Sequence, residues 1–134
     1  MTGFYNPPEM DLRIFESRLF SAVTGLDMDV DRMAKAGERI WNLRRAIMVK
    51  RENRTRETDT LNEPYFKKAI TCLAGSATGL VNGPLDKAKF EALKDRYYAF
   101  RGWDVNTGWP TRSKLEELGL KDVADELASI GKLP

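Results

Sequence analysis

The 134-residue sequence contains no histidine and a single cysteine, Cys72. The absence of histidine excludes Ser-His-Asp and Cys-His catalytic arrangements, the usual base at neutral pH and most zinc chemistry. A single cysteine excludes an internal disulfide framework and any multi-cysteine metal or cluster site built by this chain alone. Because thiols stay reduced in the cytoplasm, we expect a cytoplasmic location.

Long apolar runs are also lacking, and we expect no signal peptide. No apolar stretch approaches 18 residues, so we expect no membrane span and no membrane partner. The start of the sequence, MTGFYNPPEMD, lacks the basic and apolar regions of a signal peptide. With 42% apolar and 31% charged residues, the chain has the composition of one ordinary domain with a core of its own.

Helical periodicity accounts for most of the chain, and no segment alternates as a strand does. Asp and Thr at the starts of these segments and glycine at their ends are typical helix caps. We therefore predict an all-α, irregular multihelical domain of five to six helices, spanning residues 1–134 as a single domain. The predicted core helices cover about 9–24, 29–51, 86–101, 112–118 and 122–130.

The predicted helix over 29–51 is the element around which the others should pack. Its apolar residues recur at i, i+3, i+4 and i+7, which predicts one buried face. The residues of this face are Val30, Met33, Gly37, Ile40, Trp41, Ile47 and Met48. A mid-helix glycine costs about 1 kcal/mol relative to alanine, so Gly37 indicates the close approach of another backbone. Arg44 projects into this face, where a cation needs a partner or must reach past its neighbours.

Several apolar residues lie off the predicted core faces. The stripe of the first helix consists of Leu12, Phe15, Leu19 and Val23. Ile14 and Phe20 lie off that stripe, and Ala46 and Val49 fall on what should be the wet side of the central helix. Apolar residues on a second face indicate a second partner surface, so we predict that these four contact something outside the chain.

The later part of the chain is rich in aromatic residues. Spacing by three and four predicts a core face on the helix over 86–101, made of Phe90, Leu93, Tyr97 and Phe100. The same aromatic run could form a ligand-stacking site, but its helical spacing favours core packing. We expect residues 103–110 to form a loop pinned by Trp103 and Trp109, and residues 52–63 to form a polar loop.

Positive charge is concentrated in residues 32–56, although the net charge is only +2. This segment has nine Lys and Arg but only two acids, Glu38 and Glu52. A basic segment can bind nucleic acid, but this one lacks interleaved aromatic residues and a known binding motif. We therefore do not expect a nucleic-acid partner, and the alternative is an ion-paired surface or a face covered by an acidic neighbour.

Few residues suggest chemistry. The carboxylate pairs Glu116-Glu117 and Asp11/Glu16 fall on charged helix faces, where solvation or ion pairing is the usual role. With no histidine to activate it, Cys72 fits a small buried hydrophobe better than a nucleophile. We therefore predict no catalytic, cofactor-binding or metal-ligating residue on this chain.

Two stretches resemble a known family. AGERIWNLRRAI (36–47) resembles a Gly-Glu-Arg-Ile-aromatic-Asn-Leu helix of the tungsten-pterin aldehyde:ferredoxin oxidoreductases. YYAFRGWDVNTGWPTRSKLEELGLKDVADEL (97–127) resembles the C-terminal signature of the same family. SAVTGLDM (21–28) and TRETDTL (55–61) fit the remaining positions, so order and spacing agree over residues 12–127.

The resemblance implies an enzyme that oxidises aldehydes or oxo acids to carboxylates. Such enzymes use a tungsten (or molybdenum) bis-pterin site and one [4Fe–4S] cluster, and they pass electrons to ferredoxin. The family's three-cysteine motif is absent here, and Cys72 does not match the position of the fourth cluster ligand. The resemblance therefore implies a C-terminal structural domain, inactive in isolation, that packs against the missing N-terminal and middle domains and shapes the substrate channel.

Two alternatives remain at this point. The chain could be a free-standing helical interaction module that binds a partner protein or nucleic acid through residues 32–56. It could also be a small enzyme that uses Cys72 or a carboxylate pair.

Overall fold

The computed structural model describes residues 11–68 and 83–134, and all regular secondary structure in these ranges is helical. The helices are α1 (Leu12–Thr24), α2 (Val30–Glu52), α3 (Pro64–Lys67), α4 (Lys87–Arg101), α5 (Arg112–Glu117) and α6 (Lys121–Ser129). The only β-type pairing found in this part of the chain is an isolated bridge between Trp103 and Pro110. The predicted all-α class is confirmed. None of the described helices is both long enough and apolar enough to cross a membrane.

Capping side chains set where α1, α2, α4 and α5 begin, and Asp29 caps α2 by accepting a hydrogen bond from the backbone N–H of Arg32 at 2.8 Å. Asp11, Asp86 and Thr111 each accept a hydrogen bond from a backbone N–H two or three residues further along the chain. Because Asp11 is the cap, α1 begins at Leu12, later than predicted. Gly102, at φ 70°, adopts the left-handed conformation that ends α4.

The chain forms two compact units that divide between Trp41 and Asn42, inside α2. In unit 1, a short link joins α1 to the first part of α2. The hydroxyl of Ser21 on α1 accepts a hydrogen bond from the backbone N–H of Met28 in this link at 3.0 Å. Ser17 is the only buried residue among residues 11–41. Unit 1 therefore has no apolar core within its described residues.

Unit 2 contains the buried core. Its members are Ala46, Val49, Leu115, Leu118, Leu120, Ala124 and Leu127. The second half of α2 packs on α5 and α6 through this cluster, and Gly119, at φ 68°, allows the chain to turn between α5 and α6. Each fully buried leucine contributes about 1.5–3 kcal/mol of burial free energy, so these few residues stabilise the unit.

The buried side of α2 is opposite to the predicted one. The residues that α2 buries are Asn42, Arg45, Ala46 and Val49. Three residues predicted to be in the core are instead 67%, 37% and 47% exposed: Ile40, Trp41 and Ile47. The prediction that Ala46 and Val49 contact something outside the chain is therefore wrong, since both lie in the core of unit 2. Both sides of this helix carry apolar residues, so periodicity alone could not select the inner one.

The prediction for Gly37 fails for the same reason. Gly37 is exposed, and nothing lies within 4 Å of the position that its Cβ would occupy, so no backbone of the described residues approaches it. Arg44 is exposed, which agrees with the prediction that a cation on this face is paired or reaches past its neighbours, and the buried cation of α2 is the neighbouring Arg45.

The predicted core faces of α1 and α4 are also largely open. The α1 residues Leu12, Phe15, Leu19 and Val23 are between 37% and 78% exposed. On α4, Tyr98 is buried, whereas Leu93 and Phe100, predicted to be core residues, are 60% and 76% exposed. Ile14 and Phe20 are exposed, as expected for apolar residues that have no place in the core.

Candidate functional site

A buried arginine, Arg45, is the centre of a polar network in unit 2. It is only 5% exposed. Its two terminal nitrogens donate to the carboxylate of Asp59 at 3.0 and 2.5 Å, and its Nε donates to the carbonyl of Gly108 at 2.9 Å. The guanidinium carbon lies 4.7 Å from the centroid of the Trp103 ring. A planar guanidinium suits this combination of bidentate pairing and stacking.

Asp59 collects two further donors. Arg54 Nε lies 3.0 Å from Oδ1, and the hydroxyl of Tyr98 donates to Oδ2 at 2.6 Å. Burial alone would raise the pKa of Asp59, but the hydrogen bonds from Arg45 and Tyr98 and the nearby positive charges hold that pKa below its ordinary value. Burial and the adjacent carboxylate raise the pKa of Tyr98. The carboxylate therefore stays ionised and the phenol stays protonated at neutral pH.

The turn that follows α2 fixes Asp59 in place. The backbone N–H of Arg56 in this turn donates to the carbonyl of Thr107 at 2.8 Å. The guanidinium of Arg56 pairs with Glu91 on α4 at 2.9 Å. A backbone hydrogen bond and a side-chain ion pair of Arg56 thus hold the polar turn in place. The same turn carries Asp59, the carboxylate of the network.

The loop over 103–110 supplies the remaining side of the network. Trp103 Nε1 donates to the side-chain oxygen of Asn42 at 2.8 Å, and Trp109 Nε1 donates to the carbonyl of Arg54 at 2.9 Å. The prediction that these two tryptophans pin the loop is confirmed.

Gly108 is the position in this loop that only glycine fits. Its φ is 72°, a conformation that residues with a Cβ rarely adopt. An added Cβ would lie 2.7 Å from a terminal nitrogen of Arg45 and 3.2 Å from the Tyr98 ring. The close approach of this backbone lets the Gly108 carbonyl reach the arginine.

Three of the carboxylates considered from the sequence are ion-paired on the surface. Glu116 pairs with Arg112, Glu117 with Lys114, and Asp11 with Arg13. Glu16 is exposed, and Cys72 lies outside the described residues. Over residues 11–68 and 83–134, no group of three or more His, Cys, Asp or Glu side chains is placed to hold a metal ion.

The network brings together three segments that are far apart in sequence. The stretch 36–47 contributes Asn42 and Arg45, the stretch 55–61 contributes Asp59, and the stretch 97–127 contributes the aromatic residues and the glycine. Sequence reasoning matched all three segments but missed the network. It considered the pairing of Arg44 on the apolar face and did not predict that Arg45 is buried and paired.

Replacing Tyr98 by phenylalanine should cost about 1.5–3 kcal/mol, because a hydrogen bond to a buried charged group is lost while the ring remains. The change is measured by urea unfolding of the 134-residue chain. Tyr65→Phe is the matched control, since Tyr65 is 42% exposed, and it should change stability by less than about 0.5 kcal/mol. Equal effects of the two substitutions would show that the Tyr98 hydroxyl does not contribute.

Acid should weaken the fold through Asp59. Its pKa in the folded chain lies below the ordinary value of 3.8, so the stabilisation is fully present above that value and is lost as pH falls below it through the folded-state pKa. Free energies of unfolding for the unsubstituted chain and Asp59→Asn, measured between neutral pH and about pH 2.5, should therefore converge on acidification. A gap that stays constant with pH would contradict this assignment.

The same helical fold occurs in a protein of known structure. A chain of the active-site complex BamBC of benzoyl coenzyme A reductase, solved with 1,5-dienoyl-CoA, superposes with a TM-score of 0.68. The two sequences are 25% identical, and the match covers 90% of this chain but 16% of that one.

A family model described as aldehyde ferredoxin oxidoreductase, domains 2 and 3, matches residues 8–120. The chain therefore belongs to this family. The tungsten-containing aldehyde ferredoxin oxidoreductases of Pyrococcus furiosus and Pyrococcus horikoshii are 32% identical over 107 residues and 31% identical over 104 residues. Each match covers 78% of this chain and 16% of the relative, so the chain spans about a sixth of the length of these relatives.

Proposed function

We propose that this chain is a C-terminal structural domain of a tungsten-pterin, iron–sulfur oxidoreductase that acts on an aldehyde or an oxo acid. The observation that carries the proposal is the family match over residues 8–120. The buried network supports a structural role, because the carboxylate of Asp59 accepts hydrogen bonds from both Arg45 and Tyr98 and so occupies the functional groups of all three residues. The domain has no catalytic, cofactor-binding or metal-ligating residue in this proposal.

The proposed role is to pack against the N-terminal and middle domains that carry the cofactors, and to help shape the substrate channel. Those domains would hold the tungsten (or molybdenum) bis-pterin and the [4Fe–4S] cluster, and ferredoxin would accept the electrons. This chain covers only 16% of the length of these relatives, which supports the proposal that other domains bind the cofactors. That residues 1–134 form one all-α domain, and that the enzyme is cytoplasmic, remain predictions.

Activity measurements test this proposal. The 134-residue chain alone should not reduce ferredoxin or a redox dye when an aldehyde is added. The enzyme purified from the source cells through an affinity tag, introduced at the chromosomal locus after Pro134, should do so. Aldehyde-dependent reduction by the isolated chain would contradict the proposal, and so would an assembly inactive towards every aldehyde and oxo acid tested.

The alternative of a nucleic-acid-binding module is disfavoured by the pairing of the basic segment. Within the described residues, several of its cations bind carboxylates of this chain, among them Arg32, Arg45, Lys50, Arg54 and Arg56. We expect no gel shift with DNA or RNA at low salt. A shift whose affinity falls steeply as salt rises would favour the module instead.

A further inference from the structure

Unit 1 presents one stripe of large apolar side chains to solvent. Its four members, called here the α1 stripe, are Leu12, Phe15, Leu19 and Val23. They are 48%, 37%, 50% and 78% exposed, respectively. They recur at steps of three and four residues, so they share one face of α1.

The other side of α1 is the one that unit 1 covers. Ser17 is 3% exposed, and Ser21 is half-buried against the link to α2, where it bonds to Met28. Ser17 and Ser21 thus mark the covered side of α1, and the four residues of the α1 stripe lie on the opposite side. A surface helix with a solvated outer face shows the opposite arrangement. The pattern of α1 therefore fits a helix that is covered by something other than the described residues.

The α1 stripe is comparable in area with the largest apolar patch on a typical monomer. If each fully exposed residue is assigned about 150 Å², the lower end of the range for aromatic side chains, these exposed fractions amount to about 300 Å². The largest apolar patch on a typical monomer is about 300–600 Å² and is often functional. A 13-residue helix is also marginal in water without packing. A covering surface would remove the apolar patch from water and would stabilise the helix by packing.

We propose that the α1 stripe is the surface by which this chain docks onto the N-terminal, cofactor-bearing part of the enzyme. This inference rests on the proposed function. The relatives extend over about five-sixths of their length beyond the matched region, which provides the covering chain. The stripe contains no charged residue, so its partner surface is apolar, as in obligate interfaces. Ala46 and Val49, assigned to this contact from the sequence, lie in the core of unit 2.

Hydrogen exchange tests the proposal on two preparations. One is the 134-residue chain alone, and the other is the enzyme purified through the chromosomal tag after Pro134. The amides of α1 should exchange at least about tenfold more slowly in the enzyme, because docking suppresses local opening. The amides of α6, which packs in the core of unit 2, should change by less than about twofold.

A pair of variants at the chromosomal locus makes the test specific. In Leu19→Glu/Val23→Glu, α1 should exchange in the enzyme as fast as it does in the isolated chain. Arg18→Glu places a carboxylate on the same helix outside the stripe, and it should keep the slow exchange. The urea midpoint of the isolated 134-residue chain should be unchanged by either variant, because the stripe is not part of its core.

Three results would overturn the inference. Protection of α1 that is equal in the isolated chain and the enzyme would mean that the chain covers its own stripe. Protection that rises with concentration, together with a dimeric mass, would identify a second copy as the occupant. An active tungsten enzyme in which α1 stays unprotected, or in which the double variant keeps the protection, would disprove the surface while leaving the proposed function standing. Failure of the proposed function would give a different result: the tagged protein would contain no tungsten, and its mass would show no further polypeptide beyond the 134 residues.

Discussion

Replacing Asp59 by asparagine is expected to lower the free energy of unfolding by about 3–5 kcal/mol. The substitution keeps the size of the side chain but removes the only carboxylate that faces Arg45 within the hydrogen-bonded network. Arg45 is 5% exposed, so its charge would remain buried without compensation, and that state is strongly destabilising. Urea unfolding of the 134-residue chain measures the loss.

Asp95→Asn is the matched control for this substitution. Asp95 also pairs with an arginine, Arg56, but its side chain is 55% exposed and solvent screens the pair. Its removal should cost less than about 1 kcal/mol. Similar losses for the two asparagine variants would mean that the Arg45–Asp59 pair is no more important than a surface ion pair.

Replacing Gly108 by alanine is expected to cost about 3 kcal/mol or more. The left-handed backbone at φ 72° contributes about 1–2 kcal/mol of that loss. The new Cβ would lie 2.7 Å from the Arg45 guanidinium, and overpacking a filled site adds about 1–3 kcal/mol.

Gly131→Ala separates these two effects. Gly131 has φ 68°, but nothing lies within 4 Å of the position that its Cβ would occupy. Its replacement should therefore show the backbone cost alone, about 1–2 kcal/mol by thermal or urea unfolding. Equal losses of unfolding free energy at Gly108 and Gly131 would show that the close approach of the Gly108 backbone to Arg45 does not affect stability.

The helical class could be predicted from the sequence because its signals are local. Asp86 and Thr111 begin helices and Gly102 ends one, as their intrinsic preferences require. The inner face of α2 could not be predicted in the same way. Ile40 and Ile47 are larger than Ala46 and Val49, so the outward side of the helix is the more apolar one. Where α2 packs on α5 and α6, its inner side carries the smaller residues Ala46 and Val49.

The buried network could not be derived from periodicity, because it joins a helix to two loops. Arg45 and Asp59 are 14 residues apart, and the contact between Arg45 and Gly108 spans 63 residues. Neighbouring residues on a helix point about 100° apart, so Arg44 and Arg45 lie on different faces of α2. Because the other face of α2 was predicted to be buried, Arg45 was not considered as a buried cation. The prediction for Cys72 concerns a residue that lies outside the described part of the chain.

The central claim is that the reactive groups of the enzyme belong to a part that this chain does not contain, and metal analysis tests it most directly. Tungsten and iron would be quantified, together with native mass, in the enzyme tagged after Pro134 and in the 134-residue chain alone. We predict both metals in an assembly several times larger than the 15.3 kDa chain, and neither metal on the chain by itself. Stoichiometric tungsten or iron on the isolated chain would contradict the account.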